Sequence, residues 1–219
     1  MTVLITFFCS DGIVIGADSM ITPSIGGISV GHHHGQKISV LQGSQVYAFA
    51  GDQGQSERVR IMADGSHALA SNSAHPIDYP IALSQSIIAQ FTSTGIGNSI
   101  NISPILAFPH LSGLQCCVFE GAFQPRLLDS QHFYSAAGSG KLSADPFLRF
   151  ITDIFCNGRQ PSVAEAVFLT TWTIRHVIDV NPGGVADPIR IATLTNNGRV
   201  EARLMPEAEI DEHLQAVES

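Results

Sequence analysis

Met1-Thr2-Val3-Leu4-Ile5-Thr6-Phe7-Phe8-Cys9, then Ser10-Asp11-Gly12, then Ile13-Val14-Ile15-Gly16-Ala17-Asp18-Ser19, is the stretch on which the fold turns. Two nearly unbroken apolar runs joined by a turn signal read as a β-hairpin covered on both faces. The chain terminus is thereby pinned into a sheet, although chain ends are usually loose and solvated. A terminus built as a core strand points to a terminus that is used, and Thr2 becomes the residue to explain. Its small size permits removal of Met1, which would leave a threonine with a hydroxyl nucleophile and a free α-amine of pKa about 8. Nucleophile and base would then share one residue.

A turn at Asp11-Gly12 or Ser10-Asp11-Gly12 sets Asp18 opposite Ile5 or Leu4, a short diagonal step from Thr2. Residues 20–36 are rich in Gly, Ser and Pro. After them Lys37-Ile38-Ser39-Val40-Leu41 reads as a third strand, which Gln42-Gly43-Ser44 returns into Val46-Tyr47-Ala48-Phe49-Ala50-Gly51. Pairing across that turn sets Lys37 opposite Ala50 and beside Gly51. Lys37 is one of only two lysines in the chain, and it opens an apolar strand. It either snorkels at a sheet edge or is a part-buried ammonium, held by Asp18, that eases removal of the Thr2 hydroxyl proton. Asp18 has the alternative of capping the next turn. Gly51 has that of a simple bend; next to Lys37, at a strand-to-helix switch, its N–H also has the openness that an acyl-transfer oxyanion requires.

Beyond Gly51 the hydrophobic period changes. Val59, Met62, Leu69 and Ala70 fit one helix face, and Asp78-Tyr79-Pro80 opens a second helix carrying Leu83, Ile87, Ile88 and Phe91. Short apolar runs at 105–108, 116–119 and 133–137 restore strands, the last ending in Gly138-Ser139-Gly140. Residues 143–146 start a third helix, with Phe147, Leu148, Ile151, Ile154 and Phe155 on one face and Asn157-Gly158 as its stop. Pro161 at a first helical position opens a fourth, with Ala164, Val167, Phe168, Thr171, Ile174 and Ile178 as its buried stripe. Two strands, 189–194 and 199–204, meet at Asn196-Asn197-Gly198, and the tail after Pro206 reads as a surface helix. Strands, two helices, strands, two helices and strands predict an α+β fold of two packed sheets with a helix layer outside each. No linker divides the 219 residues, so residues 1–219 are expected to form one domain with an acidic tail at about 206–219.

Charged residues make up only 14% of the chain against 44% hydrophobic. Such a surface calls for cover by partners, most simply further copies of the same chain. The net charge is -8, and -5 of it falls within residues 201–219, where Glu201, Glu207, Glu209, Asp211, Glu212 and Glu218 face Arg203 alone. That balance argues against a nucleic-acid partner. The first apolar run is too short to span a bilayer and has no basic residue before it, so we expect a cytoplasmic protein with no membrane partner. Cys9, Cys116, Cys117 and Cys156 lack C-x-x-C spacing and are expected as reduced core thiols, with Cys116 and Cys117 on opposite faces of one strand. His32-His33-His34 cannot converge on one ion from extended chain, so no metal is expected. No phosphate loop is read at Gly138-Ser139-Gly140, where the following lysine lacks the required spacing, and no cofactor is expected.

Thr-Val-Leu-Ile after the initiator, Asp-Gly-Ile-Val-Ile-Gly-Ala-Asp-Ser at 11–19, Lys37, Phe49-Ala50-Gly51 and Gly138-Ser139-Gly140 together resemble the proteasome β-subunit family of N-terminal nucleophile hydrolases. The resemblance runs from Thr2 to about Leu204 and leans toward the bacterial proteasome-homologue branch, with HslV and Anbu as relatives. It implies a four-layer αββα sandwich and a threonine endopeptidase acting on peptides or unfolded proteins inside stacked homo-oligomeric rings, with an ATPase partner left open. Residue by residue it implies Thr2 as nucleophile, Lys37 and Asp18 as its triad partners, the Gly51 N–H as oxyanion hole, and Ser139 and Asp179 holding the Thr2 amine and hydroxyl. Ile21, Gly35, Phe49 and Gln53 fall where the family lines the pocket for the acyl-side side chain. With no carboxylate among them, cleavage after apolar or small residues is expected.

Two departures from the family stand out. Pro182 occupies a position where a serine hydroxyl commonly lies near the nucleophile, and activation would depend on removal of Met1 rather than on autocleavage of a propeptide. Two other functions fit the same residues: an N-terminal nucleophile amidase on small amides, and a catalytically silent ring-forming subunit.

Overall fold

The apolar terminus forms the hairpin, with β1 (Leu4–Phe8) and β2 (Gly12–Ala17) paired antiparallel. The structure is a computed structural model that describes residues 2–25, 28–181 and 184–218; Met1, Pro182 and Gly183 lie outside the described residues, and with them the expectations about initiator removal and the missing serine. Four short strands follow: β3 (Met20–Ile21), β4 (Ser24–Ile25), β5 (Ile28–Ser29) and β6 (His33–His34), pairing β3 with β6 and β4 with β5. The second long hairpin is β7 (Ile38–Leu41) with β8 (Gln45–Gly51). Helices α1 (Gln53–Gly65), α2 (His67–Asn72) and α3 (Asp78–Ser93) come next. After them run β9 (Ile102–His110), β10 (Gly113–Glu120), β11 (Gln124–Leu127) and β12 (Tyr134–Ala137). The chain then forms α4 (Lys141–Phe155), α5 (Val163–Val180), β13 (Arg190–Asn196), β14 (Val200–Leu204) and α6 (Glu207–Glu218).

The class is α+β with antiparallel sheets, as the order of segments predicted. One five-stranded sheet has the order β12-β1-β2-β13-β14, the other β11-β10-β9-β8-β7. Strand β1 lies between β12 and β2, so both of its edges are paired and its side chains are buried on both faces. Leu4, with Ile13 and Ile15, packs against Ala48, Ile105 and Cys116 of the second sheet. Val3, Ile5 and Phe7 point the other way, onto Leu148 and Ile151 of α4 and Ile174 and Val177 of α5. A third cluster joins Tyr47, Phe49, Leu106 and Phe108 to Val59, Leu83, Ile87 and Phe91 of α1 and α3. Burial of each such side chain stabilises the fold by roughly 1.5–3 kcal/mol. Double-sided burial is the physical reason the terminal run is unbroken rather than alternating. Cys116 and Cys117 divide between two of these clusters, as their adjacency on a strand requires, and all four cysteines are free thiols.

Several segments differ from expectation. The helix read through Val59 and Leu69 breaks at Ser66, just after Gly65, a poor helix former, and α2 starts afresh at His67. Leu69 is consequently half exposed. Strand β11 is an addition to the expected set; its Gln-Pro-Arg-Leu has no apolar run to betray it. In α4 the buried stripe is Ala144, Leu148, Ile151 and Thr152, while Leu142, Phe150, Ile154 and Phe155 are exposed. Pro161 precedes α5 rather than opening it, because Ser162 is the N-cap in a reciprocal capping box with Glu165; Ala164 consequently faces away from the core that Ala166 enters. The acidic tail helix is anchored, with Ile210 buried against the α5 cluster and Arg203 bonded to Glu209. No helix among the described residues is long and apolar enough to cross a membrane.

Candidate active site

The first hairpin turns on two residues, Ser10 and Asp11, with Cys9 N–H donating to Gly12 O at 2.8 Å. The Asp11 carboxylate meanwhile accepts the Val163 N–H at the start of α5 (2.7 Å). This loop, which uses Ser10 and leaves Gly12 in the strand, shifts the register, so Asp18 lies across from Val3 and not from Ile5 or Leu4: Asp18 N–H donates to Val3 O at 3.3 Å. The carboxylate is thus carried further toward the terminus than the sequence suggested. Its side chain is fully buried and collects donors from three residues. Oδ1 accepts the Val3 N–H (3.0 Å) and the Lys37 Nζ (2.7 Å), and Oδ2 accepts the Met20 N–H (3.0 Å). A buried carboxylate is tolerated when it is saturated in this way.

Lys37 immediately precedes β7 and is 2% exposed. It faces Phe49, whose N–H donates to Lys37 O at 3.1 Å, and not Ala50 as expected. The reason is again loop length: residues 42–44 make a three-residue loop that pairs Leu41 with Gln45, with Gln42 and Gly43 at positive φ. Burial pulls the Lys37 pKa below its ordinary value, and the Asp18 charge and hydrogen bond pull it back up. Asp18 thus offsets part of what burial costs the Lys37 ammonium.

Residues 138–140 wrap the terminus. Thr2, buried itself, donates its N–H to Ser139 Oγ at 3.1 Å and accepts the Gly140 N–H on its carbonyl at 3.0 Å. Gly138 has φ +86°, and a Cβ there would fall 2.3 Å from the Thr2 carbonyl oxygen. No side chain fits at that contact. Gly51, at φ +109°, is equally tight: a Cβ would meet Asn101 O at 2.1 Å.

Thr2, Lys37, Gly51 and Ser139 line one cavity of about 450 Å³, with Asp18 behind the Lys37 wall. Ile21, Phe49 and Gln53 line it as well, joined by Met20, Thr22, Asp52, Asn101 and Gly138, which sequence reasoning did not assign. Asp52 corrects the expectation of a pocket without a carboxylate. It is the N-cap of α1, with Oδ1 accepting the Gln55 N–H at 2.8 Å. An Asp at a strand-to-helix switch was the available signal, since capping acids are favoured there. Asn101 is braced by Gln55, whose side chain spans the Asn101 N–H (2.9 Å) and Ser99 O (2.9 Å); no sequence pattern announces that contact.

Two assigned residues stand elsewhere. Gly35 borders a separate cavity with Ser19, Pro188 and Met205, and its N–H donates to Ser19 O at 2.8 Å. A Cβ on it would fall 2.1 Å from Ile21 Cδ1, so it backs the wall that Ile21 forms rather than lining the Thr2 cavity. Asp179 is not in the lining either. Helix α5 continues to Val180, and the carboxylate, about half exposed, pairs with Arg175 one turn earlier at 2.8 Å.

Chemically, the cavity presents a hydroxyl and a main-chain nitrogen on one residue, a buried ammonium, and a glycine backbone at a helix start. A hydroxyl and a glycine N–H are parts that an acyl transfer uses, and the Thr2 nitrogen would be basic only with Met1 removed. Neither a family model nor a curated protein matches the chain.

Proposed function

We propose that this chain is a threonine endopeptidase of the proteasome β-subunit type, with Thr2 as its N-terminal nucleophile once Met1 is removed. The observation that carries this is the gathering of Thr2, Lys37, Gly51 and Ser139 around one cavity, with Lys37 paired to the buried Asp18. Two packed sheets with α1–α3 against one and α4–α5 against the other support reading the fold as a four-layer αββα sandwich of N-terminal nucleophile hydrolase type.

In this reading the Thr2 Oγ attacks the peptide carbonyl and its proton passes to the α-amine. The adjacent Lys37 charge favours the alkoxide that forms, and the Gly51 N–H holds the oxyanion. Collapse breaks the C–N bond, and the amine product leaves with the proton. Water then attacks the acyl ester, the α-amine again relays the proton, and Thr2 is restored. Ser139, at 3.1 Å from the Thr2 nitrogen, orients that amine. No cofactor or metal takes part. Peptides and unfolded proteins are the substrates, in the cytoplasm.

The test is intact-mass measurement of the purified protein followed by peptide turnover. The species lacking Met1 should cleave peptides, and Thr2→Ala should fall to background, a loss of more than about 10³-fold for removal of a nucleophile. Equal turnover by the two proteins would overturn the assignment. Hydrolysis of simple amides without peptides would select the small-amide hydrolase, and Met1 retained without turnover would select the silent ring subunit.

The working form in this reading is a closed homo-oligomer of stacked rings that encloses Thr2. It is supported by the low charged fraction and by the exposed apolar face of α4, where Leu142, Phe150, Ile154 and Phe155 need cover. Head-to-tail contacts between identical subunits close into rings when the rotation permits. Mass photometry at nanomolar concentration should show a species roughly ten times the monomer mass or more. A stable, active monomer there would overturn the enclosed form.

A further inference from the structure

We infer that Asp52 makes this site select substrates with a cationic side chain close to the reacting carbonyl, on its acyl side. The inference rests on the assignment of Thr2 as nucleophile, and it reverses the apolar preference read from the sequence. Among the residues lining the cavity, only Lys37 and Asp52 carry charged side chains. The Lys37 charge is matched by Asp18 at 2.7 Å, behind the wall. Asp52 has no such match: one of its oxygens takes the Gln55 N–H, and no cation lies within ion-pair distance of it among the described residues. With the Thr2 α-amine neutral, as its role of proton acceptor requires, the charge left at the cavity is negative.

Position and surroundings favour a lysine or arginine. Asp52 directly follows Gly51, whose N–H is assigned the carbonyl oxygen, so the residue lines the cavity next to the place of the bond that breaks. Its neighbours in the wall are Ile21 and Phe49, which suit the methylene stem of a long basic side chain, and Gln53, which offers a further acceptor. An incoming ammonium or guanidinium loses water on entering the cleft and regains a charge-assisted partner only at Asp52. An incoming carboxylate meets like charge instead. Because Asp52 is exposed, the gain is modest, at most about fivefold in affinity.

The test uses fluorescence anisotropy of labelled peptides on the full-length Thr2→Ala protein, which does not consume them. The peptides differ only in carrying Arg, norleucine or Glu at one of the first three acyl-side positions. At one of these positions Arg should bind about fivefold tighter than norleucine, with Glu weakest. The difference should shrink as salt rises and fall to about twofold or less in Thr2→Ala/Asp52→Asn. Asn preserves the N-cap, so the helix start is retained while the charge is removed. Equal binding of Arg and norleucine peptides, a preference unchanged by Asp52→Asn, or no peptide binding would each overturn the inference. Turnover of the same peptides by the Thr2 protein is a separate readout. A cationic preference in binding without Thr2-dependent cleavage would keep Asp52 as the group that recognises the cation, and would overturn the peptidase assignment together with the acyl-side placement.

Discussion

Lys37→Ala is expected to lower peptide turnover by at least about 10²–10⁴-fold, the scale of a positioned acid–base group. The ammonium sits on the wall of the Thr2 cavity, is almost fully buried, and donates to Asp18 at 2.7 Å. Removing it takes away the charge that would favour ionisation of the Thr2 hydroxyl. It also leaves the Asp18 carboxylate buried without that cation, a change that typically destabilises by ~3–5 kcal/mol. Here the lower end is expected, because the Val3 and Met20 N–H groups still bond that carboxylate. Loss of stability and loss of catalysis can be separated with Lys37→Arg. A guanidinium keeps the charge opposite Asp18 but is bulkier and spreads that charge over a planar fork, so it cannot sit where the ammonium faces the Thr2 hydroxyl; thermal stability should recover in part while turnover does not. Turnover above a tenth of wild type in a folded, assembled Lys37→Ala preparation would remove Lys37 from the mechanism.

The second large effect is expected at a residue with no chemistry of its own. Gly138→Ala should reduce turnover by about 10²-fold, the usual result of moving a reacting group by about 1 Å. The added Cβ would stand 2.3 Å from the Thr2 carbonyl oxygen, on a backbone at φ +86° that suits glycine. Either residues 138–140 or the terminus must move, and both the Gly140 bond to the Thr2 carbonyl and the Ser139 bond to its nitrogen depend on their fit. Backbone strain of roughly 1–3 kcal/mol should appear as a lower melting temperature. The diagnostic readout is a fall in kcat with KM little changed, since Ile21, Phe49 and Asp52 are on other segments. Wild-type kcat in a well-folded Gly138→Ala protein would show that the placement of Thr2 does not depend on this contact.

Much of the site's membership is legible in the order of residues alone. Thr2, Asp18, Lys37 and Gly51 stand out by their places at the ends of apolar strands, and strands place their ends predictably once the hairpins are recognised. The expected pairing registers are each one or more residues away from the observed ones, because a hairpin's register depends on which residues its loop uses and how many. Ser10 and Asp11 close the first loop under a Cys9–Gly12 hydrogen bond, and three residues close the second with two of them at positive φ. Asp179 owes its expected role to its place in a resembling segment, but a helix that runs on to Val180 gives its carboxylate to Arg175.

What the sequence by itself determined is what nearest neighbours and period decide. The unbroken apolar terminus must be buried on both faces, Cys116 and Cys117 must part to opposite sides of a strand, and the low charged fraction must leave apolar side chains on the surface, as at Leu142, Phe150 and Ile154 of α4. What only the tertiary structure decided is which side chains share a wall. Asp52 entered the cavity because α1 begins one residue later and fixes its cap there, and Gly35 left it because Ile21 stands in front. Periodicity reports burial along one strand or helix, whereas a cavity wall is assembled from segments far apart in the chain, held by loop closures and backbone hydrogen bonds that leave no mark on local composition.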